Sequence, residues 1–130
     1  MISYGADERQ IKLDVSTEKT DMVVDTAIPC GLIINELITN ALKHAFPGKR
    51  KGTISLSFRQ QKNKTYVVTV SDNGIGIPRD VDITKTTSLG MQLVTVLVRQ
   101  MGGTLKVSRS EGTNFTIKFK EYNEAGSVLY

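Results

Sequence analysis

Glu36, Asn40, Lys43 and His44 recur at three- and four-residue spacing inside an otherwise apolar run. Wound as a helix, the four fall within about a 100° arc, and Ile34, Leu37, Ile38, Ala41, Leu42 and Ala45 take the other flank. A carboxylate, an amide oxygen and an ammonium on adjacent turns could hold a hydrated divalent cation and phosphates. Mg²⁺ typically takes one or two protein oxygens and keeps water and phosphate oxygens for the rest. The competing reading of the arc is the solvated face of an ordinary amphipathic helix.

A second run, Ser71-Asp72-Asn73-Gly74-Ile75-Gly76-Ile77-Pro78, follows a strand pattern directly. Alternating glycines let a flat ligand approach the main chain, and Asp72 at the strand end is an acceptor for an exocyclic amine. The alternative is a simple Asx turn. The dinucleotide fingerprint is excluded, because Arg79 stands where a third glycine is needed, and no Gly-Lys-Ser/Thr of a Walker loop occurs. Two weaker features follow. Thr86-Thr87-Ser88-Leu89-Gly90-Met91 opens a helix pattern and offers backbone N–H groups to an anion, although an ordinary N-cap reads the same way. Gly112-Thr113 forms a turn into the last strand pattern.

The elements that must position these residues are legible from periodicity. Residues 10–15 alternate around Ile11, Leu13 and Val15 and predict an edge strand; residues 21–25, with Met22, Val23 and Val24, predict a second short one. Thr26 is the expected N-cap of the first helix, with Pro29 in its first turn and Pro47-Gly48 past its end near Ala45. Residues 52–60 and 65–71 predict an antiparallel pair joined by a polar connection over 60–64. Residues 72–89 read as a long functional loop, 91–101 as a second helix stopped by Gly102-Gly103, and 104–108 with 113–120 as a final hairpin. The pattern predicts an α+β two-layer sandwich: a mostly antiparallel, mixed sheet packed on helices.

Composition narrows the class further. The 130 residues suffice for one domain, with a core over about 10–120 and a fraying tail from 123 to 130. Neither a bilayer-length apolar run nor a signal-peptide pattern is visible, and the one cysteine, Cys30, excludes disulfide scaffolds and cysteine zinc sites. Cys30 is expected to be a buried apolar residue, and a sole histidine argues against a histidine metal site. Net charge is +4, but it is uneven. Between Leu37 and Ser71 there is no acid, while Lys43, Lys49, Arg50, Lys51, Arg59, Lys62 and Lys64 are all basic. That balance suits an anionic partner such as nucleotide phosphate. Nucleic acid is not expected, since the basic stretch lacks interleaved stacking aromatics.

Taken in order, the four features resemble the ATP-binding catalytic domain of sensor histidine kinases. This domain has the Bergerat ATP-binding (GHKL) fold, shared with type II topoisomerases, mismatch-repair ATPases and heat-shock chaperones. Asn35-Glu36-Leu37-Ile38-Thr39-Asn40-Ala41-Leu42-Lys43-His44 resembles the N box, Asp72-x-Gly74-x-Gly76 the G1 box, Ser88-Leu89-Gly90-Met91 the G2 box and Gly112-Thr113 the last glycine box. The stretch from Pro29 to Pro47 is most similar to the subclass related to HWE kinases, although the chain has no tryptophan.

The resemblance implies ATP and Mg²⁺ as cofactors. Asn40 would bind the metal and Lys43 a phosphate, His44 would lie beside the nucleotide, and Asp72 would accept from the adenine amino group. Gly74, Gly76 and Ile77 would permit or make the close approach, Ser88, Leu89, Gly90 and Met91 would face the phosphates, and Thr113 would lie near the adenine. Lys43 and Glu36 would carry the catalytic roles, Glu36 by orienting water or assisting proton removal. It further implies phosphoryl transfer to a histidine on a separate helical dimerisation domain, then to a response-regulator receiver domain, in a cytoplasmic setting without direct membrane contact. A stand-alone serine kinase of the anti-sigma-factor type, which shares the fold, is the alternative.

Overall fold

The computed structural model describes residues 2–3, 11–18, 21–48, 51–75, 89–109 and 111–120. Within them lie strands β1 (Ile2–Ser3), β2 (Ile11–Thr17), β3 (Gly52–Gln60), β4 (Thr65–Asp72), β5 (Thr104–Ser108) and β6 (Thr113–Lys120), and helices α1 (Val24–His44) and α2 (Leu89–Gln100). The sheet runs β1-β2-β3-β4-β6-β5, with β2 parallel to β3 and every other neighbour antiparallel. This is the expected two-layer arrangement of a mixed, mostly antiparallel sheet under helices.

Alternation along the strands decides which face is covered. Ile54, Val68, Val70, Phe115 and Ile117 face the helices and are buried, joined by Ile33, Leu37 and Ala41 of α1 and by Met91, Val94 and Val98 of α2. The other face is mostly polar, with Ser, Thr, Asn, Lys and Arg side chains around a buried Val67, as half-covered antiparallel sheets usually show. α1 ends against β3: the Phe46 ring, fully buried, lies over Gly52, where a Cβ would sit 1.9 Å from its Cε1. α2 ends as expected, with the Gly103 N–H donating to Val98 O at 2.9 Å and that of Gly102 to Arg99 O at 3.0 Å.

Four expectations about the first third of the chain need correction. Residues 21–25 form no strand. The Val23 carbonyl accepts from the N–H groups of Thr26 and Ala27, which starts α1 at Val24. Local β-branched character gave way there to tertiary docking. Val23 therefore holds the N-cap position, and Thr26 lies inside the helix, 3% exposed, with an Oγ1 that meets no hydrogen-bond partner among the described residues. Pro29 falls in the second turn rather than the first. Finally, β2 is not the outermost strand, since Ile2 and Ser3 pair with Leu13 and Lys12. The second helix also starts two residues early, so Leu89 and Gly90 belong to its first turn. The expected tail from 123 lies outside the described residues, as does most of the expected loop.

Candidate functional site

Asp72 is the last residue of β4, paired with Ile54 on one side and Thr113 on the other, and it alternates onto the helix-facing side of the sheet. Its Oδ1 accepts the Gly74 N–H at 2.9 Å, and the Thr113 N–H also donates to the carboxylate. Burial nonetheless dominates and raises the carboxyl above its ordinary pKa of 3.8, the two backbone donors only partly opposing it. A half-buried carboxylate with two fixed donors is a preorganised acceptor, and a carboxylate has lone pairs to spare beyond those two.

Two close approaches lock this residue in place. A Cβ at Gly74 would lie 2.2 Å from the backbone oxygen of Ala45, the residue that caps α1, and the Ile75 N–H donates to that same oxygen at 3.0 Å. On the other side, a Cβ at Gly112 would lie 2.1 Å from the backbone oxygen of Asp72, and Gly112 has φ +96°. The segment after β4 is thus pinned between the end of α1 and the β5–β6 turn. Only glycine lets three backbones meet at this spacing.

The structure brings Asp72, Gly74 and Thr113 together and sets them against the end of the helix that carries Glu36, Asn40, Lys43 and His44. On α1, Glu36 and Asn40 lie on the shoulder of the buried stripe and are half-buried, whereas Lys43 and His44 are exposed in the last turn. Thr113 is 3% exposed. Leu89 and Gly90 begin α2, where the positive end of the helix dipole favours an anion. Met91, by contrast, buries its side chain in the core, so only its main chain could face a ligand. Gly76, Ile77 and Ser88 lie outside the described residues.

A polar hollow of about 330 Å³ lies at the same end of the sheet, lined by Thr53, Ser55, Ser71, Asp72, Asn73, Glu111, Thr113 and Asn114. Strand alternation puts Thr53, Ser55, Ser71 and Asn114 on the side away from the helices, so the hollow opens mainly on that face and meets the helix-facing side through Asp72 and Thr113. The sequence had not singled out Asn73 or Ala45. Asn73 Oδ1 accepts the Thr53 N–H at 2.8 Å, a contact twenty residues away that no local pattern signals. Cys30 is buried as expected, its thiol pushed up to about 11 by desolvation. Among the described residues no group of three or more His, Cys, Asp or Glu could hold a metal ion, and no helix is long and apolar enough to cross a membrane.

Residues 25–123 match HATPase_c, the histidine kinase-, DNA gyrase B-, and HSP90-like ATPase family. Blue-light-activated histidine kinase 2 of Erythrobacter litoralis is 38% identical over 99 residues, which cover 76% of this chain and 29% of that protein. Sensor histidine kinase PdtaS of Mycobacterium tuberculosis is 32% identical over 99 residues, 72% of this chain and 19% of that protein. The chain thus spans less than a third of the length of these curated relatives. Among solved structures, the histidine kinase domain of the Erythrobacter litoralis EL346 blue-light activated kinase has a TM-score of 0.79 at 37% identity, over 84% of this chain and 54% of that one. Sequence and fold agree: the chain belongs to the histidine kinase-, DNA gyrase B- and HSP90-like ATPase family, as a catalytic domain of the histidine kinase class.

Proposed function

We propose that this chain binds Mg-ATP and, within a larger two-component sensor kinase, transfers the γ-phosphoryl group to a histidine on a separate helical dimerisation domain. A response-regulator receiver domain would take it next, and the setting would be cytoplasmic. The observation that carries the reading is Asp72: a desolvated carboxylate held by two backbone N–H groups at a strand end clamped to α1. It would accept from the adenine amino group, with Thr113 and Gly74 beside it, and the family resemblance adds Gly76 and Ile77 as residues that would contact the base. The relatives named above are histidine kinases, which favours histidine over the serine acceptor of the alternative.

The donor set also fits a cation that arrives with the nucleotide. Asn40, half-buried one turn from Glu36, offers its amide oxygen as one ligand and not a cage, which suits Mg²⁺ carried on a nucleoside triphosphate. The metal would supply charge neutralisation at the phosphates. Lys43, exposed in the last turn of α1, reaches a phosphate oxygen as a point charge. His44 flanks the nucleotide. The main chain of Leu89, Gly90 and Met91 in the first turn of α2 would face the phosphates, and the resemblance adds Ser88 to that set. Glu36 orients water or assists removal of the acceptor's proton. Catalysis then rests on positioning and electrostatics, as phosphoryl transfer generally does.

Calorimetry with ATP and GTP tests the base-reading part. Guanine presents a carbonyl where adenine presents its amine, so ATP should bind more tightly and equal affinities would sink the role of Asp72. For transfer, the chain is incubated with labelled ATP alone and with a matching helical domain. An acid-labile, base-stable phosphate on the partner supports the reading; stable labelling of His44, or transfer to a serine, contradicts it.

A further inference from the structure

β4 leaves the sheet at Asp72 through an irregular rung. The register pairs Ile54 with Asp72, so the next rung would join Thr53 and Asn73. Half of it is ordinary main chain, the Asn73 N–H donating to Thr53 O at 3.3 Å. The other half is not: the Thr53 N–H donates to Asn73 Oδ1 at 2.8 Å, so a side-chain amide stands in for the backbone carbonyl of a regular ladder. The main chain is thereby free to turn away one residue early, which carries Gly74 onto Ala45 and lets the Ile75 N–H reach Ala45 O. The two neighbouring side chains divide the work. Asp72 closes an Asx turn on Gly74 on the helix side, while the exposed Asn73 ties the same backbone to β3.

We propose that Asn73 is a positioning residue for base recognition: its side chain, bonded to the Thr53 N–H, fixes the direction in which the Asp72 carboxylate presents its free lone pairs. It touches no ligand itself. The inference rests on the reading of Asp72 as the acceptor for the adenine amino group. Without the Oδ1 tether, the end of β4 keeps its longer Asn73 N–H to Thr53 O bond and the Ile75 and Gly112 contacts but loses the shorter half of the rung, and the carboxylate can tilt off the line of an in-plane amine donor. Such misalignment weakens a hydrogen bond steeply without unfolding the sheet.

The test uses two ligands that differ at one group: ATP, and the triphosphate of purine riboside, in which hydrogen replaces the 6-amino group. Affinities are measured by calorimetry at pH 8, with thermal midpoints in parallel. Wild type should prefer ATP, and Asn73→Ala should lower that preference about five- to tenfold, while affinity for the purine triphosphate moves less than about twofold. Asn73→Asp, which keeps an acceptor at the same reach, should restore most of the preference. If wild type shows no preference, the Asp72 reading fails and the proposal falls with it. If wild type discriminates and Asn73→Ala discriminates equally well, Asp72 stands and the positioning role is overturned. Equal loss of both ligands together with a lowered midpoint makes Asn73 merely structural and overturns it too. Should Asn73→Ala fail to fold, Asn73→Ser, whose hydroxyl is too short to reach Thr53, carries the same comparison.

Discussion

The two ends of β4 solve opposite problems. At the Thr65 end, Tyr66 is 1% exposed and sits between Phe58 and Phe119, ring centroids 5.7 and 5.5 Å away, and its hydroxyl donates to Asp21 O at 2.8 Å. Every contact there favours the folded state. At the Asp72 end, burial holds a carboxylate in a poorly solvated place, and two glycines admit backbones too close for any side chain. One strand thus runs from a region built for stability to one built for a ligand, and substitutions at its two ends should separate the two properties.

The largest stability effect belongs at the aromatic end. Phe119→Ala removes a ring that is 3% exposed and stacked on Tyr66, and should cost about 3–5 kcal/mol in urea unfolding. The ratio of ATP to GTP affinity, measured on the folded fraction, should not change. A changed ratio would mean that the two ends are coupled through the strand.

Gly112→Ala should come next, and it should damage both properties. Its methyl group would overlap the backbone oxygen of Asp72, and its φ of +96° disfavours any L side chain. Overpacking and backbone strain together predict a loss of about 2–4 kcal/mol. Because the overlap displaces Asp72 itself, nucleotide affinity should fall in the same variant, again by calorimetry.

Asp72→Asn should sharpen the contrast by moving the two properties apart. ATP affinity should drop by about 1.5–3 kcal/mol, the worth of a charge-assisted hydrogen bond. Stability of the empty protein should hold or rise at neutral pH, since a desolvated charge is gone. The pH dependence fixes the sign. Burial raises the folded carboxyl above 3.8, so between the unfolded and folded values the native state binds more protons than the unfolded chain. Ionised Asp72 therefore costs stability above that window, and the cost is relieved as pH falls through it. ATP binding runs the other way, falling with pH as the acceptor is protonated. Unfolding curves of wild type and Asp72→Asn, taken across pH, should converge on the acid side; divergence there would contradict the assignment.

The same contrast explains what could be seen in the sequence. Alternation placed β3, β5 and β6 and all but the last residue of β4, because one face of each strand is buried and a slip by one residue would reverse every side chain. Asp72, Gly74 and Gly112 stood out because their residue types are unusual beside apolar runs. What stayed hidden depends on distant partners. Met22, Val23 and Val24 look like a strand, yet Tyr66, more than forty residues on, fixes Asp21 and the chain then turns into α1. Asn73 reads locally as a turn residue, and its function as a rung of the β3–β4 ladder exists only once Thr53 is alongside.

The smallest effect should come from Tyr66→Phe, which keeps the rings and removes only the hydroxyl. Its acceptor, Asp21 O, belongs to an exposed residue just before α1, so water can replace the lost donor. The loss should therefore lie near the low end for a neutral hydrogen bond, about 0.5–1 kcal/mol, seen as a thermal midpoint lower by a few degrees. The ring stack itself should persist, so near-ultraviolet circular dichroism should keep its aromatic signature. Hydrogen exchange at the first turn of α1 should quicken, because that hydroxyl anchors the chain immediately before Val23. Protection unchanged at Thr26 and Ala27 would show that the helix start is set by α1 alone, and that the aromatic end stabilises the fold without organising its neighbour.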